Sequence, residues 1–244
     1  MPSRPSNSAC PVPAAAPQLA LALAEPRTWG GARQGAGRKR GDRVQHTERP
    51  SVARRCPTHV TLRVRPDVPN LRKCVSFAAV EAGLEAILGR PGFRVVHFSA
   101  QKNHLHLLIE AANARALSRG VQALSIRIAR SLNRAHGRSG PVFSERYHAR
   151  TLRTPREVRN ALLYVLQNHR RHATPEATRR GGIIDPGWLD PCSSAASFDG
   201  WRDPPESKPA RAAPVSPPTF WLLTTGWRRH GLLGVDEVPP AAWH

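Results

Sequence analysis

Between residues 58 and 168 the spacing of apolar positions changes period several times. Thr58 to Arg65 alternates around Val60, Leu62 and Val64, which predicts a half-buried strand. Asn70 to Leu88 places Cys74, Phe77, Val80, Leu84 and Ile87/Leu88 on one helical face, and Gly89, Pro91 and Gly92 stop it. Phe93 to Ser99 is β-branched and aromatic, a second strand, and His104 to Glu110 is a third, with Ala100 to Asn103 as the hairpin between them. Ala114 to Ala135 is a long amphipathic helix capped by Asn113. Its core stripe is Leu117, Val121, Leu124, Ile128 and Leu132, and its arginines fall mostly on other faces. A loop over Gly137 to Pro141 leads to a strand within Tyr147 to Arg153. Thr154-Pro155-Arg156-Glu157 is a capping box with proline at the first helical position, so a helix runs from there to Asn168. The order βαββαβα predicts an α+β fold, a ferredoxin-like antiparallel sheet with helices on one face.

The flanks lack this periodicity. Residues 1–57 are Pro/Ala-rich and then Gly/Arg-rich, and such a segment buries too little apolar surface to offset chain entropy. It is expected to be a disordered basic arm whose Arg33, Arg38, Lys39 and Arg40 contact DNA phosphates. A catalytic domain is expected over 58–173. Residues 174–244 read as a Pro-rich tail with two aromatic islands, one from Ile183 to Trp201 and one from Phe220 to Leu232. These islands are expected to dock on the domain; stacking of DNA bases on Trp and Arg is the alternative.

Charge narrows the partner. The 37 Lys and Arg against 17 Asp and Glu leave a formal charge of +20, a field for polyanions and above all nucleic acid. The four cysteines, Cys10, Cys56, Cys74 and Cys192, form no Cys-x-x-Cys pair, so neither a zinc ribbon nor a disulfide scaffold is expected. No apolar run is long enough to span a bilayer. Ala14 to Ala24 is only faintly like a secretory leader and is interrupted by prolines. No membrane partner is expected, and the expected location is cytoplasmic, with the nucleoid.

The candidate chemistry lies in Asn103-His104-Leu105-His106-Leu107 and in Tyr164 with Asn168. Residues i and i+2 of a strand share a face roughly 6.5 Å apart, so His104 and His106 can grip one divalent cation while Leu105 and Leu107 enter the core. Tyr164 and Asn168, at i and i+4, share a helical face. A histidine pair, a tyrosine hydroxyl and an amide suit phosphodiester cleavage by a tyrosine nucleophile. Gln167 is the alternative amide. Tyr147 precedes the capped helix and is assigned to packing, His97 to a core role, and His59, His148 and His169 carry no spacing argument.

On these residues, and on Arg146-Tyr147-His148 before the last helix, the chain resembles the HUH (His-hydrophobic-His) single-tyrosine transposases. It resembles especially the REP-associated tyrosine transposases of bacteria. The resemblance covers roughly residues 58 to 173. Where the family continues Tyr-x-x-x-Asn-Pro-Val-Arg, this chain has Asn168-His169-Arg170-Arg171. The resemblance implies DNA transposition through a 5′-phosphotyrosine on Tyr164, with His104, His106 and Asn168 holding Mg2+ or Mn2+. It implies single-stranded or hairpin DNA, including repeated palindromes, as partner, and a monomer or homodimer. An HUH replication initiator or relaxase, and a non-catalytic protein that recognises repeat hairpins, are the alternatives.

Overall fold

The structure, a computed structural model, describes residues 55–172, 187–204 and 212–239. Residues 1–54 of the basic arm, with Arg33, Arg38, Lys39 and Arg40, lie outside the described residues, as does the start of the first aromatic island. Among the described residues no helix is long and apolar enough to cross a membrane.

The elements follow the expected order: β1 (Thr58–Arg63), α1 (Cys74–Glu85), β2 (Phe93–Ala100), β3 (His104–Ala111), α2 (Ala114–Ala135), β4 (His148–Thr151) and α3 (Pro155–Leu166). The strands form one antiparallel sheet in the order β2-β3-β1-β4, the ferredoxin-like arrangement read from the sequence. α1 starts later than its apolar pattern because Asn70 Oδ1 accepts the Arg72 amide at 3.0 Å, a local turn that competes with helix. α2 and α3 begin where their capping signals place them: Asn113 caps Ala116, and Thr154 and Glu157 form the reciprocal box.

Both faces of the sheet are covered, each by different elements. Val60, Leu62, Leu105, Leu107 and Ile109 point to the face that α1 and α2 cover. The helices approach closely: a Cβ on Gly83 would lie 2.5 Å from Ile128 Cγ1, and one on Gly120 would sit 2.0 Å from the Phe93 ring. Sharing of one face holds for these two helices only. α3 packs on the opposite face with Leu108 and Val96, and with residues of the C-terminal segment. β3 permits this because its even-numbered side chains, including Leu108 and Glu110, are buried as well.

The described parts of residues 187–239 cover that second face beside α3. Phe198, Trp201 and Trp227 are buried there. Glu110, 1% exposed, accepts from the amides of Thr219 and Phe220 and from the Thr219 hydroxyl. Arg72 donates to both oxygens of the buried Asp190 at 2.7 and 2.8 Å. Arg159 of α3 donates to both oxygens of Glu237 at 2.8 and 2.9 Å. The described cysteines, Cys56, Cys74 and Cys192, are free thiols.

Candidate active site

The site grows from alternation on two central strands. On β1 the side chains of Val60 and Leu62 enter the core, so His59, Thr61 and Arg63 face the other way. On β3, Leu105 and Leu107 enter the core, so His104 and His106 share that second face. Pairing sets Thr61 opposite His106 and Arg63 opposite His104, while β4 sets His148 opposite Thr61 and Arg150 opposite His59. One polar patch therefore spans three strands.

α3 supplies Tyr164 over this patch. The phenol oxygen lies 3.5 Å from Nε2 of His106, with the rings edge to face at 4.9 Å. His104 and His106 are also edge to face, at 4.6 Å. His59 stacks on His106 at 5.3 Å and meets Tyr164 edge-on at 5.7 Å. Together they line a cavity of about 590 Å3, whose rim carries Arg63, Glu145, His148 and Arg150. Burial, and secondarily the Arg150 guanidinium, push His59 down to about 4, so it is neutral at neutral pH.

The amide candidates sit elsewhere. α3 ends at Leu166, Gln167 leaves helical geometry, and Asn168 opens a separate short helix, α4 (Asn168–His172). The i, i+4 relation of Tyr164 to Asn168 is thus broken at its last step. Asn168 is fully buried, does not line the cavity, and its Oδ1 and Nδ2 have no hydrogen-bond partner among the described residues. Gln167 donates its amide to the Val235 carbonyl. His169 meets Trp188 edge-on, and burial holds it down near 4. Tyr147 packs against the core on the α1/α2 side. His97 is buried, bonded to the Ser194 hydroxyl at 3.1 Å, and held near 4 by burial.

The donors suit a divalent cation in part. His104 Nδ1 pairs with Asn103 Oδ1 at 2.8 Å, an arrangement that puts the proton on Nδ1 and leaves Nε2 as the lone-pair donor. His106 turns Nε2 into the same cavity, and Asn168 holds an orphaned buried amide. Among the described residues no cluster of three or more His, Cys, Asp or Glu could hold a metal ion.

Sequence reasoning passed over His59, Thr61, Arg63, His148 and Arg150. The signal was present: β1 repeats on its polar face, His-x-Thr-x-Arg, the alternation noticed on β3 as His-x-His. Pairing register, which brings the two polar faces side by side, is not written in either strand alone.

The sheet thus sets a histidine pair beneath a helical tyrosine. Residues 54–168, a little under half of the chain, match the sequence model described as transposase IS200 like. Over those residues the chain is similar to the IS200-like transposases. None of the curated proteins matches the chain in sequence. Among solved structures, it is similar to a REP-associated tyrosine transposase bound to a REP hairpin, at 12% identity and a TM-score of 0.40, over 62% of this chain and 82% of that one. It is also similar to a presumed transposase of Deinococcus radiodurans R1, at 14% identity and 0.34, over 57% and 96%. A third is a bacterial tRNA(His) guanylyltransferase-like protein in complex with GTP, at 13% and 0.38, over 56% and 70%.

Proposed function

We propose that this protein cleaves and rejoins single-stranded or hairpin DNA with Tyr164 as the nucleophile. The phenol oxygen attacks a backbone phosphorus, the P–O3′ bond breaks, and a 5′-phosphotyrosine and a free 3′-OH result. The phenolic proton leaves as the P–O bond forms, and the departing 3′ oxygen takes one up. The observation that carries this reading is the placement of the Tyr164 hydroxyl against His106 in a cavity that also holds His104. Arg63 and Arg150 on the rim offer positive charge to a phosphate.

His104 and His106 would hold a divalent cation, Mg2+ or Mn2+ by family likeness, with Asn168 as the amide partner once its buried side chain is brought to the cavity. Such an ion neutralises the phosphate and polarises the bond that breaks. The chain's own residues do the remainder. α3 presents the phenol beside His106, and burial of the tyrosine ring limits water at the attacking atom.

We further assign residues 58–173 to catalysis and the basic arm to phosphate contacts. The hairpin held by the REP-associated relative makes hairpin DNA the first substrate to try. Incubation with hairpin-bearing single-stranded DNA and Mn2+ should yield a covalent protein–DNA adduct, lost in Tyr164→Phe. The burial of Asn168 away from the cavity favours one second reading, a hairpin-binding protein that no longer cleaves. Tight hairpin binding without any adduct, across Mg2+ and Mn2+, would select it.

A further inference from the structure

His106 is the residue on which the site turns, and its second ring nitrogen has two partners on β1. Its Nδ1 lies 3.2 Å from His59 Nε2 and 3.2 Å from the Thr61 hydroxyl. The pairing register places Thr61 directly opposite His106, and His59 is two residues on along the same face of β1, so both contacts follow from the sheet itself. An imidazole can hold its single proton on either nitrogen, and the hydrogen bond at one decides the role of the other. Nε2 faces the Tyr164 hydroxyl, where a lone pair is wanted. That demands the proton on Nδ1, and Nδ1 then needs an acceptor. The Thr61 oxygen is one, and the His59 Nε2 lone pair is another.

We propose that His59 and Thr61 are positioning residues that hold the His106 proton on Nδ1 and so keep its Nε2 as the lone-pair donor facing Tyr164. The inference rests on the reading of Tyr164 as the nucleophile only for its consequence, since the tautomer can be observed without catalysis. The stacking of His59 on His106 adds an orienting role: the two rings lie within 24° of parallel, which limits rotation of His106 away from the tyrosine. Asn103 plays the matching part for His104 from the hairpin, so both histidines of the pair are braced at Nδ1.

The test uses full-length protein with 15N-labelled histidine. Long-range 1H–15N correlation spectra should show wild-type His106 protonated on Nδ1. The Thr61→Val/His59→Phe double variant should move His106 towards the Nε2-protonated form and lower Mn2+ affinity by calorimetry by about 10–100-fold, the usual loss when a ligand's brace is removed. Thr61→Ser and His59→Gln, which keep an acceptor, should hold the wild-type tautomer and most of the Mn2+ affinity. Should the double variant fail to fold, the isosteric Thr61→Val alone is read in the same spectra for a partial shift. Wild-type His106 protonated on Nε2, or a tautomer indifferent to removal of both partners, overturns the proposal. Adduct formation by Tyr164→Phe would sink the nucleophile assignment instead, and leaves the tautomer result standing.

Discussion

The phenol oxygen of Tyr164 and Nε2 of His106 stand 3.5 Å apart, although 58 residues separate them in the chain. Tyr164→Phe keeps the ring that packs against His59 and His106 and removes only the hydroxyl. Covalent adduct should vanish on denaturing gels while hairpin affinity changes by less than about threefold. An adduct that survives in Tyr164→Phe and disappears in Tyr147→Phe would move the nucleophile to the other tyrosine.

His104→Ala and His106→Ala should each abolish cation-dependent cleavage, and chelation of divalent ions should do the same to the wild-type protein. Neither substitution removes a side chain of the α1/α2-side core, which Leu105 and Leu107 fill from the same strand. Thermal midpoints close to wild type are therefore expected, with calorimetric Mn2+ binding lost in the double variant. Undiminished Mn2+ binding there would make the pair structural.

Deleting residues 1–57 should weaken DNA binding yet leave cleavage at low salt. For each phosphate that the arm neutralises, its removal flattens the dependence of log K on log salt by roughly 0.7–0.9. Full-length and truncated proteins are compared across a salt series, on single strands and duplex. Equal slopes would mean that the arm does not touch the DNA backbone.

Glu110→Gln should loosen the C-terminal segment. The carboxylate is buried and accepts from Thr219 and Phe220, and the amide turns one of its two acceptor oxygens into a donor that faces the Thr219 amide N–H. A loss of about 1–3 kcal/mol is expected in denaturant titrations followed by tryptophan fluorescence, since Trp201 and Trp227 are buried in that region. An unchanged midpoint would show that these hydrogen bonds contribute no net stability.

Stability should fall in mild acid. His59 and His97 are held at about 4 in the folded protein, against 6.5 when free. The unfolded chain binds a proton on each as pH drops below about 6.5, whereas the folded chain resists until about 4. The stability is therefore full above that window and lost across it as pH falls, by up to about 3 kcal/mol per histidine. His97→Gln, away from the cavity, should flatten the dependence measured by denaturation at a series of pH values. A slope unaffected by that change would place the acid sensitivity in other groups.

Strand alternation, helix stripes and two capping signals made the order of elements legible from residues alone, because each is local. His104, His106 and Tyr164 were legible for the same reason, as were the helices that begin at Asn113 and Thr154. What was not legible depends on pairing between distant segments. His59 and Thr61 join the site only through the register of β1 with β3. The break after Leu166, which carries Asn168 into the interior, coincides with the Gln167 bond to Val235, 68 residues further on. The covering of both sheet faces follows from buried even-numbered positions on β3 that a simple alternation pattern assigns to solvent.

The clamp on α3 has a temporal side. Glu237 follows its partner Arg159 by 78 residues. During synthesis the tyrosine-bearing helix emerges long before the groups that fasten it, so for that interval the sheet must hold α3 without them.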